Sequence, residues 1–219
     1  MVDEHRPEPP PRDRPLGPRC RLCRGPADGA LCPGCRDDLP RPASPEDPGH
    51  AAVTAVVAAC RYAWPVDRLV HAMKFHGDLV AARGLGEVLA AAVAEREAEA
   101  LVPVPLHRRR LAERGFNQAL EIARPVAAAT GAALWTRCAV RRRATAAQSG
   151  LDARQRRTNI RGAFGVRGDP SGVRIAIIDD VVTTGGTTAE LARALRAAGA
   201  AAVEVWAVAR ADPPADDGP

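Results

Sequence analysis

The chain has 219 residues, of which 46% are hydrophobic and only 3% aromatic, with a net charge of +5. That length suits one medium α/β domain plus a small module, with a core built mostly from Ala, Val, Leu and Ile. The charge permits an anionic partner such as phosphate, diphosphate or nucleic acid without demanding one, and no run is long and apolar enough to span a membrane. The N-terminal stretch lacks the apolar segment of a secretory signal, so a cytoplasmic location is expected, where cysteines stay reduced.

Residues 1–18 read as a disordered tail, with Pro7, Pro9, Pro10, Pro11 and Pro15 blocking regular structure. Residues 19–40 form a cysteine module. Cys20-x-x-Cys23 and Cys32-x-x-Cys35 are two chelating pairs, the ligand set of a tetrahedral structural zinc site, with iron the next choice. The module is too short for a core of its own, so metal should supply its folding energy. Removing the metal should unfold residues 20–39 and spare the rest. Residues 41–50 are a proline-rich linker, 51–210 the main domain and 211–219 a second disordered tail.

Within the main domain, Val53–Tyr62 reads as a strand and Val66–Phe75 and Leu79–Glu99 as helices. Leu101–Val104 is a short apolar run, followed by a turn-like stretch carrying Arg108, Arg109, Arg110 and Arg114. Asn117–Ala129 reads as a helix that Pro125 should kink or divide. Ala132–Val140 and Val173–Ile178 read as strands, Thr187–Ala198 as a helix and Val203–Val208 as a closing strand. Cys60 and Cys138 fall in strands as buried, inert thiols. Strands alternating with helices give an α/β fold, a mostly parallel central sheet with helices on both faces.

The strongest chemical signal runs from Val173 to Thr188. A buried strand (Ile175, Ile177, Ile178) ends in Asp179 and Asp180, then a loop of small residues leads into a helix. Ligands of open α/β sheets bind at the carboxyl ends of strands, and a helix start offers unpaired N–H groups to a phosphate. Gly185 and Gly186 let the backbone approach closely, and the hydroxyls of Thr183, Thr184, Thr187 and Thr188 can donate to phosphate oxygens. Thr187 and Glu190 fit a capping box. Twin carboxylates are acceptors for the vicinal hydroxyls of a ribose. The bland alternative is a tight turn with solvated aspartates. Neither a Walker A loop nor a dinucleotide fingerprint is present.

Ile-Ile-Asp-Asp-Val-Val-Thr-Thr-Gly-Gly-Thr-Thr resembles the motif by which type I phosphoribosyltransferases bind 5-phosphoribosyl-1-pyrophosphate (PRPP). Three further segments narrow the match: Met73-Lys-Phe-His-Gly-Asp78, Val102-Pro-Val-Pro-Leu-His107 with Arg114-Gly-Phe-Asn-Gln118, and Gln148…Leu151…Arg157-Thr-Asn159…Gly162-Ala-Phe164. With the N-terminal cysteines, their order resembles the ComF family of competence-associated, phosphoribosyltransferase-like proteins, over about residues 20–209. Gly186 departs from the alanine often found in that family.

The resemblance implies a type I phosphoribosyltransferase-like fold with a small N-terminal zinc ribbon, and Mg²⁺ accompanying PRPP. It puts Asp179 and Asp180 on the ribose hydroxyls and Val182, Thr183, Thr184, Gly185, Gly186, Thr187 and Thr188 on the 5′-phosphate. Lys74, Arg114, Asn117 and Gln118 fall near the diphosphate, and catalytic roles fall on Asp179, Asp180 and Arg114. Residues 141–150 read as a loop that closes over ligand, against the alternative of a plain surface loop. The family's link to DNA uptake adds a second reading, in which single-stranded DNA is a ligand and the arginine clusters meet its backbone, with Arg108–Arg110 as plain surface the alternative; a third reading is a regulator that senses PRPP without turning it over. The acceptor of any phosphoribosyl transfer and the oligomeric state are left open.

Overall fold

The computed structural model describes residues 17–42, 49–143 and 160–211. Most of both expected tails, linker residues 43–48, and residues 144–159 with Gln148, Leu151, Arg154, Arg156, Arg157 and Asn159 lie outside it. The described residues form seven strands: β1 (Ala55–Arg61), β2 (Ala100–Pro103), β3 (Ala133–Leu134), β4 (Ala139–Arg141), β5 (Phe164–Val166), β6 (Arg174–Val182) and β7 (Ala202–Arg210). Six helices accompany them among the described residues: α1 (Pro33–Asp37), α2 (Val66–His76), α3 (Leu79–Ala92), α4 (Arg108–Arg114), α5 (Gln118–Thr130) and α6 (Gly186–Ala197).

The central sheet has five strands in the order β1-β7-β6-β2-β3, all parallel. Its strands are apolar on both faces, as a parallel sheet covered on both sides requires. On β6, Ala176 and Ile178 face a core with Leu85 and Leu89 of α3 and Ile122 of α5. Ile175 and Ile177 face the opposite core, with Leu191 and Leu195 of α6. The expected α/β class and two-sided helix cover therefore hold. Strands β4 and β5 pair antiparallel as a separate ribbon.

Several elements differ from the sequence reading. The expected 79–99 helix stops at Ala92. Val93 buries itself, and Arg96 turns away to pair with Glu204 at 2.7 Å. The turn-like arginine stretch is helix α4: His107 accepts from Arg109 N–H, Arg109 pairs with Glu113 one turn on, and Gly115 closes the end at φ 82°. The single strand at 132–140 is two short strands in different sheets. The closing strand of the chain, β7, lies inside the sheet between β1 and β6.

Helix α5 runs unbroken through Pro125. There α3 approaches so closely that a Cβ on Gly86 would sit 2.4 Å from the Pro125 ring and 2.5 Å from the Ile122 carbonyl oxygen.

The cysteine module packs on this body instead of standing apart. Cys20, Leu31 and Leu39 share one core with Leu85 and Val88 of α3. A Cβ on Gly84 would lie 2.5 Å from that of Ala30, so this glycine admits the module against α3. Ion pairs Arg21–Asp78 (2.9 Å) and Arg36–Glu87 (3.5 Å) tie its edges down.

Candidate functional site

Strand β6 carries the site because its neighbours differ in length. On one side β7 stays paired with it through Val182↔Arg210. On the other, β2 pairs only from Ala100↔Ile175 to Pro103↔Ile178. Beyond Ile178 that edge opens, and Asp179 and Asp180 stand there, still inside the strand and not after it. Their side chains are buried, at 9% and 4% exposure.

The two carboxylates are not equivalent. Lys74, in the last turn of α2, forms an ion pair with Asp180 Oδ2. Asp179 Oδ1 accepts the Asp180 backbone N–H at 2.9 Å. Burial, and then the neighbouring Asp180 charge, hold the Asp179 carboxyl well above the usual carboxylate range, against a smaller opposing pull from Lys74.

The loop after β6 turns at Gly185, whose φ of 71° suits glycine, and Gly185 is the N-cap of α6. The expected capping box is absent. Glu190 instead accepts the Gly162 N–H at 2.6 Å and pairs with Arg193 at 2.6 Å, bonds that hold it below its usual range despite burial. Thr188 is buried, and its hydroxyl donates to the Gly185 carbonyl at 3.0 Å, closing the turn. Thr183 and Thr184 are exposed and Thr187 half-exposed. Gly186 has room for a methyl group, its nearest neighbour being Thr184 Oγ1 at 3.8 Å, so the family's alanine would fit. A cavity of about 300 Å³ opens over this loop, lined by Tyr62, Lys74, Asp179 and residues 181–188.

The structure thus gathers Lys74, Asp179, Val182, Thr183, Thr184, Gly185, Gly186, Thr187 and Thr188 around one cavity, and sets Asp180 beside it through Lys74. Arg114, Asn117 and Gln118 do not line that cavity. They form the α4–α5 junction, close enough for the Asp180 charge to act on Arg114. Burial lowers the Arg114 guanidinium, Asp180 opposes that, and Arg110 adds to it. Arg114 Nη1 donates to Gln118 Oε1 at 2.7 Å. Asn117 caps α5 through Ala119 N–H and donates to the Val104 carbonyl at 3.1 Å, so it fixes where the two segments meet.

Two groups were not picked out from sequence. Tyr62 lines the cavity, at the end of a strand with no motif to flag it. Arg141, read only as the start of a loop, lies over the Phe164 ring at 5.6 Å. Burial and then Arg110 lower its guanidinium, while Asp179 raises it. Three cations, Lys74, Arg114 and Arg141, therefore act on the acidic pair.

Across the molecule, the sulfurs of Cys20, Cys23, Cys32 and Cys35 lie within 4.8 Å of one another. Zinc–sulfur bonds of about 2.3 Å in a tetrahedron put sulfurs about 3.8 Å apart, and Cys23 and Cys32 are 3.7 Å apart. The cluster fits zinc. Burial raises the Cys20 thiol, but hydrogen bonds from the Cys32, Cys23 and Leu22 backbone outweigh it and bring the thiol down to about 6. Cys35, raised by burial and by the other three sulfurs, is pushed up to about 12. A divalent cation would offset the charge that four thiolates bring together. Cys60 is buried and its thiol is pushed up to about 11 by that burial, as expected of an inert core residue.

An open strand end with buried twin carboxylates, a glycine turn and a helix start defines an α/β protein with a candidate ligand site at the carboxyl end of its sheet, here with a cysteine ribbon docked on one face. No family model matches the chain. The DNA utilization protein YhgH of Salmonella typhimurium (strain LT2) is 40% identical over 162 residues, covering 71% of each chain. The protein of that name in Escherichia coli (strain K12) is 36% identical over 201 residues, covering 84% of this chain and 85% of its own. Competence protein F of Haemophilus influenzae is 32% identical over 160 residues, covering 68% and 70%. The chain belongs to this ComF family of DNA utilization and competence proteins.

Among solved structures, the allosteric regulatory enzyme of purine biosynthesis overlaps 58% of this chain and 25% of its own, at 23% identity and TM-score 0.40. A purine phosphoribosyltransferase from Pyrococcus horikoshii overlaps 75% and 96%, at 15% identity and TM-score 0.35. Among the described residues no helix is long and apolar enough to cross a membrane.

Proposed function

We propose that the chain is a PRPP-binding protein of the phosphoribosyltransferase type, acting in the cytoplasm in the handling of DNA. Residues 51–210 would be its donor-binding domain and 19–40 its zinc ribbon. The observation that carries this reading is the open end of β6, where buried Asp179 and Asp180 stand beside the N-terminal turn of α6. The diol of a ribose is a neutral partner whose two hydroxyls can donate to such carboxylates. The exposed hydroxyls of Thr183 and Thr184 and the free N–H groups of the turn suit the 5′-phosphate.

Mg²⁺ fits this donor set, since carboxylate oxygens and a diphosphate are hard ligands. When bound it would offset diphosphate charge. The chain's own residues do the rest. Lys74 pairs with Asp180 Oδ2 and holds that carboxylate at the open strand end, where a ribose hydroxyl can donate to it. Arg114, held by Gln118 and within reach of the Asp180 charge, would take the diphosphate. In a transfer, the bond from C1 of the ribose to the diphosphate oxygen breaks, diphosphate leaves with the electron pair, and an acceptor nucleophile bonds to C1. Positioning and stabilisation of the leaving charge are the contributions expected of such a site.

A second reading is favoured by one observation: Arg108, Arg109 and Arg110 are exposed on α4 beside the site, in a family whose members are named for DNA utilization. There the arginines meet the backbone of single-stranded DNA. The two readings separate experimentally. PRPP with Mg²⁺ should raise the melting temperature, and a panel of acceptors should release diphosphate if transfer occurs. Single-strand binding that weakens steeply with salt would support the DNA reading. No thermal response to PRPP at millimolar concentration would remove the first.

A further inference from the structure

Sequence reading makes the cysteine module a bystander to the sugar-phosphate site, and the structure connects them. Arg21 follows Cys20 directly, and its place is set within the module, where its N–H donates to the Ala30 carbonyl at 2.8 Å. Its side chain leaves the module: Nη2 donates to Asp78 Oδ1 at 2.9 Å. The same oxygen accepts the Ala81 N–H at 3.0 Å, so Asp78 is also the N-cap of α3. One residue earlier, Gly77 ends α2 in the left-handed conformation at φ 64°, and the N–H groups of Gly77 and Asp78 both reach the Ala72 carbonyl. Holding Asp78 therefore holds the last turn of α2. That turn carries Lys74, the partner of Asp180.

We propose that Arg21 is a positioning residue for Lys74, so that metal bound by the four cysteines tightens the sugar-phosphate site. The inference rests on the PRPP reading above. With the module loaded, Arg21 clamps the α2–α3 corner and Lys74 stays on Asp180. With the module open, the corner loosens, Lys74 spends less time in place, and apparent affinity falls with that fraction. Coupling of this kind is reciprocal, so PRPP must raise metal affinity by the same factor.

The test is calorimetry of PRPP with Mg²⁺ on the full, zinc-loaded chain and on Arg21→Ala, Arg21→Lys, Lys74→Ala and the double variant Arg21→Ala/Lys74→Ala. Arg21→Ala should weaken PRPP binding about threefold to fivefold, the scale of a partly exposed ion pair, with zinc content unchanged. Arg21→Lys should recover most of the loss. In the Lys74→Ala background the Arg21 change should have no further effect. Where Lys74→Ala binding is too weak to fit, zinc affinity decides. Measured at equilibrium against a competing chelator, it should rise threefold to fivefold with PRPP in the wild type and stay level in Arg21→Ala. Wild-type affinity in Arg21→Ala, an equal loss without Lys74, or zinc affinity indifferent to PRPP would overturn the proposal. If the wild type itself does not bind PRPP, it is the functional reading that fails.

Discussion

Asp179 stores instability that ligand binding should draw on, and Asp179→Asn should release it. Asparagine keeps the shape and the oxygen that accepts the Asp180 N–H at 2.9 Å, and removes only the charge. Folding takes that carboxylate out of water beside another one, which raises its pKa above the unfolded value near 3.8. A group raised in this way supports stability fully below the unfolded pKa and loses that support as pH rises through the native one. Lys74 offsets part of the repulsion, and relieving a functional site commonly gains about 0.5–2 kcal/mol. For a chain of this size that raises Tm by about 1–8 °C. Urea melts of both proteins at pH 4, 6 and 8 check it. The variant should be the more stable at pH 8, with the gap closing by pH 4, and it should no longer be stabilised by PRPP. A variant less stable than wild type at pH 8, or a gap that ignores pH, would refute the reasoning.

Gly185→Ala should cost about 1–2 kcal/mol, because alanine resists a φ of 71°; Gly186→Ala, with open space for its methyl, should melt like wild type and keep PRPP binding. Gly86→Ala drives a methyl into Pro125 and the Ile122 carbonyl and should destabilise by about 1–3 kcal/mol in a denaturant titration, with the far-UV spectrum retained. Cys23→Ser should abolish zinc uptake by elemental analysis. Because Cys20, Leu31 and Leu39 belong to the shared core, it should also lower the single main melting transition, whereas an independent ribbon would leave that transition in place.

The site was legible because its chemistry is written in consecutive residues. A β-branched run, two aspartates, a threonine-glycine turn and a helix occupy one unbroken segment, and the two Cys-x-x-Cys pairs announce themselves by spacing. What could not be read depends on contacts distant in sequence. Beyond the end of α3 at Ala92, Arg96 meets Glu204, more than a hundred residues on. The survival of α5 through Pro125 accompanies a close approach that only Gly86 permits. Glu190 was read as a cap because its spacing from Thr187 fits, yet Gly162 and Arg193 claim it. Lys74 was read as a donor for diphosphate, but its nearest anion is Asp180, whose place beside α2 is fixed by the packing of that helix on the sheet. Tyr62 reaches the cavity through the parallel pairing of β1 with β7, which no local pattern encodes.

The central claim is that the open end of β6 holds a ribose diol while the following turn holds its phosphate. Isothermal titration of PRPP with Mg²⁺ into the zinc-loaded chain, set beside Asp179→Asn/Asp180→Asn, tests it most directly. The expected result is saturable binding by the wild type and none by the folded double variant. Equal heats from the two proteins, or no heat from a wild type whose fold is intact, would contradict it.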